Sequence, residues 1–306
     1  MTLHPALQAM VDAAAALPAM QTLPVDAVRA GAAARYKAVP RPEVAHVEDR
    51  AIPGPRGPIP VRVYRPDLEP GRPVIVFFHG SGFVICSVET HDGLVRQLCR
   101  RSRMIVVSVD YALAPENKFP AAPEDCLAAT RWVFAHARDF GGDPARIVLA
   151  GDSVGGTMSA VTAIRLRDAG EPAPRAMLLM YPVTDHPSAG MPSYTERGAG
   201  CGLTREGMEW FWNHYLQDAA DGAHPHASPN RAEDLSRLPS SYVITAEYDP
   251  LRDEGKVFAD RLQAAGNVVL HRRYADANHG FMSWVGLIDR SDEALQAACD
   301  WLKAHV

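Results

Sequence analysis

The chain has 306 residues, 47% hydrophobic and 22% charged, which is enough apolar material for one large core and too much for a disordered chain. The formal charge is -5 with no long basic run, so nucleic acid is not an expected partner. No apolar stretch reaches membrane-spanning length. The five cysteines, at 86, 99, 126, 201 and 299, are odd in number and widely spaced, which predicts reduced thiols in a cytoplasmic protein and no metal-binding cluster.

The first twenty residues lack a basic n-region. Asp12 and the helical spacing of Leu7, Met10 and Val11 predict an amphipathic helix rather than a signal peptide. Residues 1–45 read as helical. Residues 45–65 alternate in polarity, with V-R-V-Y near Ile59–Tyr64 predicting an edge or hairpin strand. From about residue 73 a βα rhythm sets in. Strands are expected at 73–78, 104–109, 146–150, 177–181, 241–246 and 268–274, and helices at 91–101, 121–138, 156–167, 255–265 and 292–304. Short β-rich runs alternating with longer helical ones imply an α/β fold with a mostly parallel central sheet flanked by helices. The stretch from Thr184 to about Pro239 breaks the rhythm. It contains one aromatic-rich helix, Leu203–Leu216, and suits a lid or pocket inserted at the strand ends. Its aromatics would pack the insertion onto the domain, line a pocket, or do both.

Chemistry concentrates at R-I-V-L-A-G-D-S-V-G-G from Arg146. Gly151–Gly155 fits G-x-S-x-G between a predicted strand and a predicted helix, a context that exposes the Ser153 oxygen on a sharp turn beside helix-start N–H groups. A serine hydroxyl needs a base, and the base needs an orienting acid. The acid is expected after the strand at 241–246. There Asp249 on the strand-to-helix turn is preferred, Glu247 nearer the strand end stays open, and Asp253 reads as a helix-start charge. The base is expected after the last strand, where His279 precedes Gly280. Asp276 lies in the same short loop, His271 lies within the strand, and His224 with His226 forms an H-x-H without companion ligands. The run H-G-S-G-F at 79–83 follows a strand and can turn N–H groups toward an oxyanion. It lacks both the Gly-Lys-Ser/Thr of a phosphate cradle and the G-x-G-x-x-G of a dinucleotide site.

Taken together, H-G-S-G-F (79–83), D-Y-A-L-A-P-E (110–116), G-D-S-V-G-G (151–156), D-P-L-R-D-E (249–254) and H-G-F (279–281) resemble the bacterial hormone-sensitive-lipase-like carboxylesterases of the α/β-hydrolase superfamily. The resemblance implies Ser153 as nucleophile, Asp249 as acid and His279 as base, with oxyanion donors at the N–H groups of Ser81, Gly82 and Val154. It implies an α/β-hydrolase fold with a helical cap, divided as 1–45 (N-terminal part of the cap), 46–183 (catalytic core, first part), 184–239 (cap insertion) and 240–306 (catalytic core, second part). It also implies a small-molecule ester of short to medium acyl chain as substrate, no cofactor and no metal, and a homodimer. Val84, Ile85, Met208, Phe211, Trp212 and Phe281 are the expected pocket walls. The same triad serves amidases, lactonases and acyltransferases, and a ligand-binding protein could keep the fold without catalysis.

Three positions depart from the family pattern. Ser81 stands where a glycine is usual, Val154 replaces alanine, and Ala112 replaces arginine. Ser81 must then take ordinary dihedrals or store modest strain, with its hydroxyl adding a donor or holding a water. Val154 is expected to narrow the acyl side or shift the alcohol side of the pocket. A neutral histidine is needed for attack, so activity is expected to rise through roughly pH 6 to 7.

Overall fold

The computed structural model describes residues 2–306. Two helices, α1 (Pro5–Ala15) and α2 (Val25–Tyr36), precede the sheet. The hairpin β1 (His46–Ile52) and β2 (Ile59–Arg65) then leads into β3 (Arg72–Phe78), α3 (Val88–Ser102), β4 (Ile105–Val109), α4 (Ala121–His136), β5 (Gly142–Asp152), α5 (Val154–Asp168) and β6 (Ala176–Met180). After β6 the chain leaves the sheet and forms the short α6 (Ser193–Glu196) and α7 (Arg205–Tyr215). It returns as β7 (Ser240–Tyr248), α8 (Arg252–Ala264), β8 (Val269–Asn278) and α9 (Asp289–His305).

The eight strands lie in the order β1-β2-β4-β3-β5-β6-β7-β8. β2 pairs antiparallel with both β1 and β4, and every pair from β4 across to β8 is parallel. V-R-V-Y is thus a hairpin strand, and the edge belongs to β1.

β3 explains the layering. Val74, Val76 and Phe78 point into one apolar layer with Met158, Ala160, Met208 and Phe211, while Ile75 and Phe77 point into the other with Leu98, Leu295 and Phe281. The period of two divides the strand between helices on both faces. α3 starts at a capping box between Ser87 and Thr90, carries Glu89 in its first turn and ends on Arg100 and Arg101, charges that suit its dipole.

Two sheet registers place the site. Phe78 pairs with Gly151, so the chain leaving β3 emerges beside the turn leaving β5. Tyr248 pairs with Asn278 after a register shift past Ala246, so residues 249 and 279 follow neighbouring strand ends. β8 therefore runs four residues beyond the expected end at 274, because its pairing with β7 resumes after the irregularity.

Candidate active site

Ser153 links β5 to α5 with φ 54° and ψ −120°, a conformation uncommon for a non-glycine residue. The turn is locked by its own backbone. The Ser153 N–H donates to the Met180 carbonyl at 2.8 Å, and its carbonyl accepts from the Gly156 and Val183 N–H groups at 2.9 and 3.3 Å. The small flanking residues are required by contact, since a Cβ on Gly155 would overlap the Phe78 carbonyl and one on Gly151 would meet Gly155. α5 begins at Val154, two residues earlier than its sequence suggests, because the serine itself takes the cap position.

The register at 248 and 278 brings the other two groups to this serine. His279 Nε2 lies 3.0 Å from Ser153 Oγ, and its Nδ1 lies 2.8 Å from Asp249 Oδ2. A carboxylate only accepts, so Nδ1–H donates to Asp249 and Nε2 is left to accept the serine proton. Asp249 is fully buried, and its Oδ1 accepts the Leu251 N–H at 2.8 Å. Tyr181 packs edge-on against the imidazole at 5.0 Å between centroids.

The other acids and histidines have separate employment. Glu247 is enclosed by Arg197, Arg252 and Arg273 at 3.1, 3.0 and 3.4 Å. Although burial opposes its charge, these arginines hold its carboxyl below the usual range. Asp253 opens α8, where it pairs with Arg252 and accepts the Ser193 N–H. Asp276 pairs with Arg290, and His271 Nε2 lies 2.9 Å from Thr245 Oγ1. His224 and His226 pack ring against ring, and among the described residues no cluster of three or more metal-ligating side chains occurs.

Across from Ser153, the loop after β3 is bent through two successive left-handed residues, Gly82 (φ 51°) and Phe83 (φ 67°). For a side chain as large as Phe83 this conformation costs roughly 1 kcal/mol. The Phe83 ring compensates by stacking on Tyr215 at 3.8 Å, and its carbonyl accepts the Ala114 N–H at 2.9 Å. Ser81 does not have positive φ, so it carries none of the left-handed strain considered for it. Its hydroxyl is engaged within the loop. Its Oγ accepts the Phe83 N–H at 2.8 Å and lies 2.8 Å from the Tyr111 hydroxyl, which in turn lies 2.6 Å from the His79 carbonyl.

Among the described residues, the N–H groups of Ser81 and Gly82 reach no protein acceptor. That of Val154, first in its helix, has no carbonyl one turn back. The Val154 side chain is wholly buried and lies in the same apolar layer as Met208, Phe211 and Trp212.

Asp152, the residue before the nucleophile, was not singled out in the sequence. Its Oδ1 accepts the Gly80 N–H at 2.8 Å, and its other oxygen lies 3.4 Å from His91 Nε2. Burial works against its charge, yet His91 and the Gly80 N–H hold the carboxyl below its ordinary value. A charged residue inside an otherwise small and apolar turn is the signal that could have revealed it.

The expected pocket walls separate into two groups. Phe211 lies directly over the loop, for a Cβ on Gly82 would come within 2.5 Å of its ring. Met208, Trp212 and Val84 are buried in the same layer, and Ile85 packs at its margin. Phe281 lies in the opposite layer, with its ring 5.8 Å from Tyr181, which packs on His279, and 5.2 Å from Tyr274. At the third departure from the pattern, Ala112 donates its N–H to Asp125 Oδ2 at 3.0 Å, and Arg56 pairs with the same carboxylate.

The profile of a protein family described as alpha/beta hydrolase fold matches residues 75–283. The chain belongs to that family. This α/β-hydrolase is 40% identical over 317 aligned residues to the carboxylic ester hydrolase LipN of Mycobacterium tuberculosis, covering 100% of this chain and 84% of the relative. It is 43% identical over 269 residues to the esterase LipI of the same organism, covering 85% of this chain and 83% of that one. Among solved structures, the hyperthermophilic esterase from the archaeon Pyrobaculum calidifontis superposes with a TM-score of 0.96 at 40% identity, over 99% of each chain. No helix among the described residues of this α/β-hydrolase is long and apolar enough to cross a membrane.

Proposed function

We propose that Ser153, His279 and Asp249 form the catalytic triad of this α/β-hydrolase, with the N–H groups of Ser81, Gly82 and Val154 as its oxyanion donors. Ester hydrolysis is the activity shared by its named relatives, and the chain is a carboxylic-ester hydrolase. The observation carrying the triad is the continuous chain from Ser153 Oγ through His279 to Asp249, at 3.0 and 2.8 Å.

In the first step Ser153 Oγ attacks the ester carbonyl carbon while His279 Nε2 takes the hydroxyl proton. The carbonyl electron pair moves onto oxygen, where the three N–H groups receive it, each donor contributing about 3 kcal/mol in the transition state. The tetrahedral adduct collapses to an acyl-serine as His279 returns the proton to the departing alcohol oxygen. Water, deprotonated by the same nitrogen, then attacks the acyl carbon, and as the bond to Ser153 Oγ breaks His279 returns that proton to the serine oxygen and the acid departs.

Residues 1–45 and 184–239 are proposed to form the cap. Phe211, low over Gly82, supports a closed apolar space suited to short and medium acyl chains. The five cysteines are free, which supports a cytoplasmic location. A homodimer is proposed from the family resemblance, and light scattering at assay concentration tests it.

The experiment is stoichiometric labelling with an aryl phosphonate together with a panel of esters, amides and lactones. The expected result is one label per chain in the wild type, none in Ser153→Ala, and the highest kcat/KM on short to medium esters. Labelling retained in Ser153→Ala overturns the nucleophile, and preference for long insoluble triglycerides overturns the substrate class.

A further inference from the structure

The hydroxyl of Ser81 has no role in the mechanism above, yet it sits in the proposed oxyanion loop and its partners are the Phe83 N–H and the Tyr111 hydroxyl, neither of them in the proposed triad. Proton counting gives these contacts a direction. Tyr111 has one hydroxyl proton and two oxygens within reach, the His79 carbonyl at 2.6 Å and Ser81 Oγ at 2.8 Å. A carbonyl only accepts, so the Tyr111 proton goes to His79 and the Ser81 proton goes to the Tyr111 oxygen. Ser81 Oγ keeps its lone pairs for the Phe83 N–H at 2.8 Å. The chain therefore runs Phe83 N–H to Ser81, Ser81 O–H to Tyr111, and Tyr111 O–H to the His79 carbonyl. It begins and ends within the loop and passes through a side chain from another segment.

That outside segment is well placed to hold the loop. The Tyr111 ring stacks on the His79 imidazole at 4.6 Å with 16° between planes, and Ala114 N–H binds the Phe83 carbonyl. Tyr111 is only 2% exposed, and burial pushes its phenol far above its ordinary value, so the proton the chain needs stays in place across the working range. Phe83, whose N–H starts the chain, has the left-handed backbone that this loop must sustain. Ser81 thus closes a side-chain turn over Gly82 and the strained Phe83, in the loop that carries the N–H groups of residues 81 and 82.

We propose that the Ser81 and Tyr111 hydroxyls are positioning residues that fix the aim of the oxyanion donors. In this chain their bond does the work of orienting a loop whose second glycine has been replaced. The inference rests on the oxyanion reading under Proposed function. It differs from a structural role in where its effect falls, because donors aimed at the developing oxyanion stabilise the transition state more than the bound ester.

The test compares Ser81→Ala, Tyr111→Phe and the double variant with wild type. Readouts are kcat and KM on a short-chain aryl ester, affinity for an aryl trifluoromethyl ketone that adds to Ser153 as an oxyanion, and Tm. For Ser81→Ala we expect kcat to fall about tenfold with KM within about twofold, and ketone affinity to fall in parallel with kcat/KM. Tyr111→Phe should fall less, and the double variant should match Ser81→Ala because both changes cut one chain. Unchanged kcat in Ser81→Ala overturns the proposal. So does a loss that appears in Tm and KM with ketone affinity intact, or strictly additive single effects. If Ser81→Ala does not fold, the kcat and ketone readouts of Tyr111→Phe decide alone. Failure of the underlying oxyanion reading looks different, since in a crystal structure of the wild-type ketone adduct the oxyanion would then lie away from the N–H groups of residues 81, 82 and 154.

Discussion

Ser153 and Ser81 sit on neighbouring loops, each just past the end of a parallel strand, and they illustrate opposite uses of one side chain. Ser153 has the strained backbone, at φ 54°, and an oxygen whose recorded partner is His279. Ser81 lacks positive φ and has an oxygen committed to Phe83 and Tyr111. Reactivity therefore follows from what surrounds the hydroxyl. A serine with a base at 3.0 Å and its main chain tied down on both sides is equipped for the proposed nucleophilic role, whereas a serine whose proton and lone pairs are already engaged is suited to holding a loop.

The largest expected effect strikes only the first serine. Asp249→Asn leaves the shape intact but removes the acceptor that selects the Nδ1–H tautomer, so kcat should drop by about 10⁴-fold with KM little changed. Steady-state kinetics on a soluble aryl ester checks it, and a loss below tenfold would return Glu247 to consideration. Gly155→Ala strikes both loops together, because the added Cβ would overlap the Phe78 carbonyl, the residue that leads into the Ser81 loop. It should lower stability by at least about 3 kcal/mol, read from urea unfolding. A variant as stable as wild type would mean that the two loops are not in such close contact.

Phe211→Ala touches the Ser81 side alone. It should change the ratio of kcat/KM between butyryl and acetyl esters by about tenfold in favour of the longer acyl group. An unchanged ratio places the acyl chain elsewhere.

The smallest effect is a control that avoids both serines. Burial, with the charges of Arg165 and His224, pulls the His226 imidazole down to about 4. As pH falls from about 6.5 the unfolded chain takes up this proton before the folded one does. Stability is therefore lost between roughly pH 6.5 and 4 and is fully present above that window. In His226→Gln the fall in Tm across that window should be shallower by a few degrees, with activity at pH 8 unchanged. Identical Tm profiles would remove His226 from the acid limb.

Much of this arrangement was legible from residue order. The strands announced themselves as short β-rich runs, and G-D-S-V-G between a strand and a helix marked the turn that carries Ser153. What the sequence could not decide depended on sheet register. Asp249 and Glu247 are two residues apart, and the pairing of Tyr248 with Asn278 is what carries the histidine loop to one of them. The side on which Phe281 packs is another question of face, invisible without knowing which way the turn after β8 folds. The partner of Ser81 lies thirty positions away in D-Y-A-L-A-P-E, a motif legible in the sequence, but a hydroxyl-to-hydroxyl bond between the two segments leaves no periodic trace. Asp152 carries no such signal in its spacing, since the loop it holds through the Gly80 N–H is 72 residues away in the chain.

The contact between Gly155 and the Phe78 carbonyl also bears on how this enzyme can diversify. With no room for even a methyl group, the two loops that carry the proposed triad serine and oxyanion donors form one block and tolerate almost no independent drift. The insertion that carries Phe211 reaches the block from above and returns to the sheet 59 residues after leaving it, between Met180 and Ser240. New substrate ranges are thus open to lineages that rewrite the overhang while inheriting the block unchanged. A randomised library spread evenly along the chain should return its altered specificities from 184–239 and its dead clones from 151–156.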